Sequence, residues 1–189
     1  MKKVIYTKYS TERSDKFKIA TSNIKEDGSV YVKKKPVHEK AQSHIEGLLS
    51  KYEALKEYYN RSEVEFVPCE IAERNAFFPF VEGESLEGRL DRYVENKDYK
   101  GILQEVENYK RVITDNLEIV PFRICDDFIG VFGANYPEEG VAAFKVSDID
   151  LIFSNIIISG DKWQVIDYEW TFDFPVPAAA HGNFSKIEQ

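Results

Sequence analysis

Residues 147–170 read SDIDLIFSNIIISGDKWQVIDYEW, and the rest of the chain can be organised around them. A polar turn opens the stretch and an apolar run, Leu151 to Ile158, follows it. Ser159-Gly160-Asp161 is a turn, and a second run, Trp163 to Ile166, delivers Asp167. Two β-rich runs joined by a short Gly-containing turn predict a hairpin. Its antiparallel arms bring Asp150 and Asn155, near the start of one arm, beside Asp167 at the end of the other. Three oxygen-bearing side chains at one point suit a hard cation such as magnesium, which keeps some waters and takes further ligands from phosphates.

Composition bounds what this hairpin can belong to. At 189 residues the chain is long enough for a real core, and 43% hydrophobic with 14% aromatic content excludes a disordered segment. A net charge of −8 argues against a general nucleic-acid binder, whose phosphate contacts need basic patches. Cys69 and Cys125 are too few for a disulfide scaffold and have no Cys/His metal spacing, so a reducing cytoplasm is expected. No run reaches the roughly 18 apolar residues of a membrane span, and no membrane or nucleic-acid partner is expected.

Asp150 and Asn155 are spaced as D-x-x-x-x-N, and Asp167-Tyr168-Glu169 follows after the hairpin. These elements resemble the protein-kinase-like superfamily, nearest its aminoglycoside and choline kinase-like branch. The segment also resembles kinase-like domains of bacterial cell-surface polysaccharide biosynthesis proteins. The resemblance implies an α+β, protein-kinase-like fold: a five-stranded antiparallel N-lobe sheet with one long helix, and a truncated, mostly helical C-lobe carrying the catalytic hairpin. The expected division is 1–82 for the N-lobe, 83–177 for a partial C-lobe, and 178–189 for a flexible tail.

Along the chain, Lys3 to Tyr9, Lys16 to Ile24 and Val30 to Lys35 alternate as strands, with a hairpin turn at Glu26-Asp27-Gly28-Ser29. The first connection, YSTERSDKF, has no glycine, unlike a kinase phosphate loop. Ser10, Thr11, Arg13 and Ser14 still offer donors there. The third strand ends in Lys33-Lys34-Lys35, where the family's phosphate-pairing Lys lies. Neighbouring side chains on a strand face opposite ways, so Lys33 and Lys34 are alternatives, with Lys33 preferred and Lys34 kept open. Lys33 fits the family spacing, and Lys34 puts the smaller Val32 on the adenine side. Glu39 to Tyr59 carries an apolar stripe of Ala41, Ile45, Leu48, Leu49, Tyr52, Leu55 and Tyr59 at helical spacing. By resemblance this helix supplies the Glu that steadies the Lys, with Glu46 and Glu39 as the candidates.

Val64 to Cys69 and Ala76 to Val81 are expected to complete the sheet. The second runs into FPFVEGESLEGRL, which resembles the hinge that holds adenine through the backbone of Phe80, Val81 and Glu82. Glu84 to Val94 and Tyr99 to Asn116 are amphipathic helices, while Phe122 to Val131 and Val141 to Val146 read as strands around a loop at Gly133–Pro137. The resemblance implies an ATP- and Mg²⁺-dependent phosphotransferase acting on a small-molecule or glycan hydroxyl, within a larger protein. Asp150 is the catalytic candidate, Asn155 and Asp167 the metal ligands. Asp148 stands where the family has His, and this, with the glycine-free loop and short C-lobe, leaves a nucleotide-binding or structural module without transfer as the alternative.

Overall fold

The computed structural model describes residues 1–133, 139–160 and 162–178. Along the chain run β1 (Lys3–Tyr9), β2 (Ile19–Glu26), β3 (Ser29–Pro36), α1 (Gln42–Tyr58), β4 (Val64–Phe66), β5 (Glu70–Ala72), β6 (Asn75–Pro79) and β7 (Glu84–Ser85). Then come α2 (Leu86–Glu95), α3 (Tyr99–Thr114), β8 (Ile119–Pro121), α4 (Asp126–Phe132), β9 (Ala142–Phe144) and β10 (Ser147–Asp148). The described chain closes with β11 (Ile156–Ser159), β12 (Lys162–Val165), β13 (Thr171–Phe172) and β14 (Val176–Pro177). The architecture is α+β, and the chain divides into two compact units: Met1–Tyr52 with Val67–Val81, and Glu53–Phe66 with the chain from Glu82 on.

The first unit is built on a five-stranded antiparallel sheet in the order β1-β2-β3-β6-β5. Asp27 and Gly28 both take positive φ, 50° and 91°, in the β2–β3 turn. Two left-handed residues suit the turn to the twist of the flanking strands. The register sets Lys34 across from Thr21 and Ala76, and Lys33 across from Ser22 and Phe77. A short 3₁₀ turn, Glu39–Ala41, leads into α1, and Ala41 of the turn with Ile45 and Leu48 of the helix are buried in this unit.

The sheet has the expected number of strands but not the expected fifth one. Residues 70–72 take that place, while Val64–Phe66 belongs to the second unit and pairs parallel to β12. Pro68 separates the two short strands, and proline has no N–H for a ladder. One continuous strand from Val64 to Cys69 was therefore not available.

The second unit carries a four-stranded sheet, β4-β12-β11-β7, and two smaller sheets, β10-β13 and β14-β9-β8. Helix α2 starts at Ser85, whose Oγ accepts from Gly88 N at 3.0 Å, and α3 at Asp98, whose Oδ1 accepts from Gly101 N at 2.9 Å. Each cap satisfies one of the amides a helix start leaves unpaired. Leu86, Tyr109, Val112, Ile113, Leu151, Ile156, Val165 and Tyr168 are buried. Phe122, Phe128, Ala143 and Val176 form a second cluster, packed by Phe132, Phe172 and Phe174.

Two segments differ from their sequence reading. Phe122 to Val131 is not a strand: Asp126–Phe132 is helical, with Asp126 and Asp127 in its first turn, where the helix dipole favours acids. Leu151 to Ile158 is not one strand either. Leu151 and Ile152 are irregular, Phe153–Asn155 is a 3₁₀ turn, and only Ile156–Ser159 is extended. Leu151 is apolar because it is a buried loop anchor. Of the loop at Gly133–Pro137, residues 134–137 lie outside the described residues, as do Asp161 and, in the expected tail, residues 179–189. No helix among the described residues is long and apolar enough to cross a membrane.

Gly83 is required where it stands. A Cβ there would lie 2.6 Å from Ile158 O and 2.7 Å from Ile157 Cγ2, and its φ is +156°. Gly83→Ala is expected to lower unfolding stability by about 2 kcal/mol, since overpacking costs roughly 1–3 kcal/mol. Gly47→Ala, in α1 with nothing within 4 Å of the new methyl, is expected to raise it by up to about 1 kcal/mol. Urea denaturation of both variants checks this, and a harmless Gly83→Ala would contradict the packing.

Candidate functional site

The loop from Asp148 to Asn155 is tied at both ends before any side chain is considered. On its entry side β10 pairs with β13, and Ile149 N donates to Trp170 O at 3.2 Å. On its exit side Ile166 N donates to Asn155 O at 3.0 Å, just beyond the β11–β12 ladder. Between them Leu151 N reaches Asp148 O at 3.3 Å, Ile152 N reaches Asp150 O at 2.7 Å, and Asn155 N reaches Ile152 O at 2.9 Å. The loop folds on itself because its own carbonyls accept its own amides, as a turn requires.

Side chains finish the closure. Asn155 Nδ2 donates to Asp150 O at 2.9 Å, so the amide nitrogen is engaged and its oxygen remains an acceptor. Asp148 Oδ1 accepts from Asp150 N at 3.1 Å. Tyr109 Oη, from α3, donates to Leu151 O at 2.7 Å, and its ring meets Phe153 edge-on at 4.9 Å. Thr171 Oγ1 donates to Tyr168 O at 2.8 Å beyond Asp167. Asp150, Asn155 and Asp167 are half-buried, while Leu151, Ile156, Val165 and Tyr168 around them are buried.

Asp150 and Asn155 are thus held together by one hydrogen bond, and Asp167 follows directly on the residue that bonds Asn155 O. Among the described residues no group of three or more His, Cys, Asp or Glu side chains could hold a metal ion. An amide oxygen with one carboxylate, completed by phosphate oxygens and water, is a donor set that magnesium accepts. The residues fit that ion only in company with a phosphate ligand.

The remaining candidates divide between the two units. In the first, Lys34 is 3% exposed with its Nζ 5.6 Å from the Phe78 ring centre, and Lys33 is half-buried with its Nζ 5.4 Å over Phe77. Glu39 is ion-paired with Arg74, which raises the Arg74 pKa, chiefly through that hydrogen bond. Glu46 is exposed, and its Oε1 accepts from Gln42 Nε2 at 2.8 Å. Phe80 and Val81 follow β6 outside any strand, Phe80 being exposed, and Glu82 begins the second unit.

Two residues of the second unit acquire a part that their sequence reading did not give them. Tyr109 read as one position of an apolar stripe, but a buried phenol needs a partner for its hydroxyl, and that partner is the loop. Tyr59 lies buried under Tyr58 and Phe66. Its hydroxyl has no hydrogen-bond partner among the described residues. Burial, then the charge of Asp148, pushes its pKa well above 10.0.

Tyr109→Phe leaves the Leu151 carbonyl without its buried donor and is expected to cost about 1–3 kcal/mol, read by urea denaturation. Tyr59→Phe removes a hydroxyl that bonds nothing described, so stability near neutral pH is expected to hold or rise slightly. In the parent chain the unfolded Tyr59 releases its proton above about pH 10 while the folded one keeps it, so stability falls as pH rises from there. A pH series of unfolding should show a shallower alkaline fall in Tyr59→Phe. An unchanged slope would contradict the raised pKa.

No protein-family model matches the chain, and no curated protein matches it in sequence. Solved structures do align with it at low identity. A macrolide 2'-phosphotransferase type I matches at 12% identity and a TM-score of 0.47, over 95% of this chain and 70% of its own. The streptomycin–ATP complex of APH(2")-IIa matches at 12% and 0.45, over 94% and 69%. Macrolide 2'-phosphotransferase MphH from Brachybacterium faecium matches at 11% and 0.40, over 87% and 66%. The chain thus spans about two thirds of the length of these proteins.

Proposed function

We propose that the chain is a kinase-like, ATP- and Mg²⁺-dependent phosphotransferase domain acting on a small-molecule hydroxyl. The observation that carries this reading is the loop, in which Asn155 Nδ2 closes on Asp150 O and Asn155 O receives the amide that precedes Asp167. In-line phosphoryl transfer asks a protein for a carboxylate toward the acceptor and oxygen ligands for a metal ion, and this closed loop and the residue after it carry side chains of those kinds. Asp150 accepts the proton of the acceptor hydroxyl or orients it. Asn155 Oδ1 and Asp167 would hold the metal ion, and a bound magnesium would supply positive charge to offset what develops on the phosphates.

Of the strand lysines, Lys34 is the proposed phosphate partner: the register puts it on the face shared with Val32, Ala76 and Phe78, and buries it. Glu46 is the proposed support, since Glu39 is engaged by Arg74. The backbone of Phe80, Val81 and Glu82 is proposed to meet the adenine edge. Charge distribution agrees: the first unit has 13 Lys and Arg against 8 Asp and Glu, the second 12 against 25. A basic unit favours a polyphosphate. The narrower reading, a glycan hydroxyl in cell-surface polysaccharide assembly, rests on the residue-level resemblance of 148–177 alone, and a cytoplasmic place rests on the sparse cysteines.

One observation favours the alternative, a nucleotide-binding module that transfers nothing. The β1–β2 connection has no glycine and is pinned shut by Ser10, whose N donates to Ile19 O at 3.1 Å and whose Oγ accepts from Ile19 N at 2.9 Å. Its freedom to wrap phosphates is small.

Thermal unfolding with and without Mg·ATP tests the reading. A ligand at one hundred times its Kd that binds only the folded state adds about 2.7 kcal/mol. A shift of that order is expected for the parent chain, absent without magnesium, lost in Asp167→Ala, and lost in Lys34→Ala but not Lys33→Ala. No shift in the parent would sink the nucleotide site. A shift without any phosphate release would leave the binding module.

A further inference from the structure

Asp148 is 0% exposed, sits two residues before Asp150, and gives its Oδ1 to the Asp150 amide at 3.1 Å. Its backbone is fixed independently, by the Asp148–Thr171 ladder pair and by Leu151 N on its carbonyl. Burying a carboxylate costs several kcal/mol before its hydrogen bonds are counted. Asn or Ser would turn the chain here with the same side-chain-to-backbone pattern and without that cost. A charge-assisted bond is, in exchange, shorter and about twice as strong as a neutral one. What the carboxylate grips is the amide of the residue whose side chain must be aimed.

We propose that Asp148 is a positioning residue: its buried carboxylate fixes the Asp150 backbone, and so aims the Asp150 carboxylate at the acceptor hydroxyl. This rests on the function proposed above. It takes up the place where kinase-like chains carry His, with a different chemistry, an anion that holds an amide. The residue touches neither nucleotide nor acceptor, so its effect falls on the rate of transfer and not on nucleotide affinity. Misplacement of a reacting group by about 1 Å can cost on the order of a hundredfold in rate.

The test is steady-state Mg·ATP hydrolysis by the full chain, with water as acceptor, in three forms, each checked for folding by thermal melt. Asp148→Asn keeps the volume and the Oδ1 acceptor but not the charge, and is expected to lose severalfold in kcat, less than Leu loses. Asp148→Leu keeps the branched shape, at a larger volume, without an acceptor and is expected to lose at least tenfold in kcat, with KM for Mg·ATP unmoved. Should Asp148→Leu not fold, Asp148→Ser, with a shorter neutral acceptor, is expected to lose severalfold in kcat at the same KM. A Leu or Ser variant as fast as the parent, or an Asn variant as slow as Leu, overturns the role of Asp148 and leaves the proposed function standing. A parent chain that hydrolyses no Mg·ATP overturns that function, and this role with it.

Discussion

The amide of Ile166 and the carbonyl of Asn155 lie 3.0 Å apart, and on that bond the loop from Asp148 to Asn155 depends. It joins the end of a hairpin arm to the end of a loop, so Asp167 inherits its place from a ladder and Asn155 from a turn. Asp150 is drawn in by Asn155 Nδ2, and Leu151 is pinned by Tyr109. Each bond is worth only about 1 kcal/mol net. Breaking one inside a buried site costs more, because the abandoned partner stays dry.

The apolar residues supply the stiffness that makes these bonds count. Leu151, Ile156, Val165 and Tyr168 are buried on either side of the three polar positions, each contributing roughly 1.5–3 kcal/mol by leaving water. Tyr109 serves twice, as core and as donor, with its ring stacked at 6.5 Å from Trp163 and its hydroxyl on the loop. Polar groups held by packed walls have few other places to go, which suits a site that works by geometry and charge.

Much of this was legible in the sequence. The Asp27-Gly28 turn, the helical stripe from Ala41 to Tyr59 and the alternating N-terminal strands are local signals, although Lys16 and Phe17, read as strand, lie in a 3₁₀ turn and the second strand starts at Ile19. The hairpin was also visible, read as arms at 151–158 and 163–166 where the strands are Ile156–Ser159 and Lys162–Val165, as was the D-x-x-x-x-N spacing. What escaped was decided at a distance. Val64–Phe66 reads as the sheet's next strand, yet β12 takes it as a parallel neighbour. Phe122 to Val131 reads as a strand because its apolar residues are bulky, yet Asp126 and Asp127 open a helix. Whether Lys33 or Lys34 turns inward depends on the register with β6, which no count of residues within β3 reveals. Leu151 looked like strand and is an anchor, since an apolar run does not say which residue pays out chain.

The parallel pairing of β4 with β12 has a consequence in time. Trp163 sits beside Val64 across about a hundred residues of sequence, whereas the strands of the first unit are mostly hairpin neighbours, with β3–β6 the longer reach. Closing a long loop is slow because its entropy is lost before its contacts form. On a ribosome the first sheet can assemble while the rest is still being made. The strand at 64–66 must wait, with Val64 and Phe66 unburied, until the hairpin that carries Asp167 emerges. The interval is a window for misassociation, and chaperone dependence should track the synthesis of the last third of the chain.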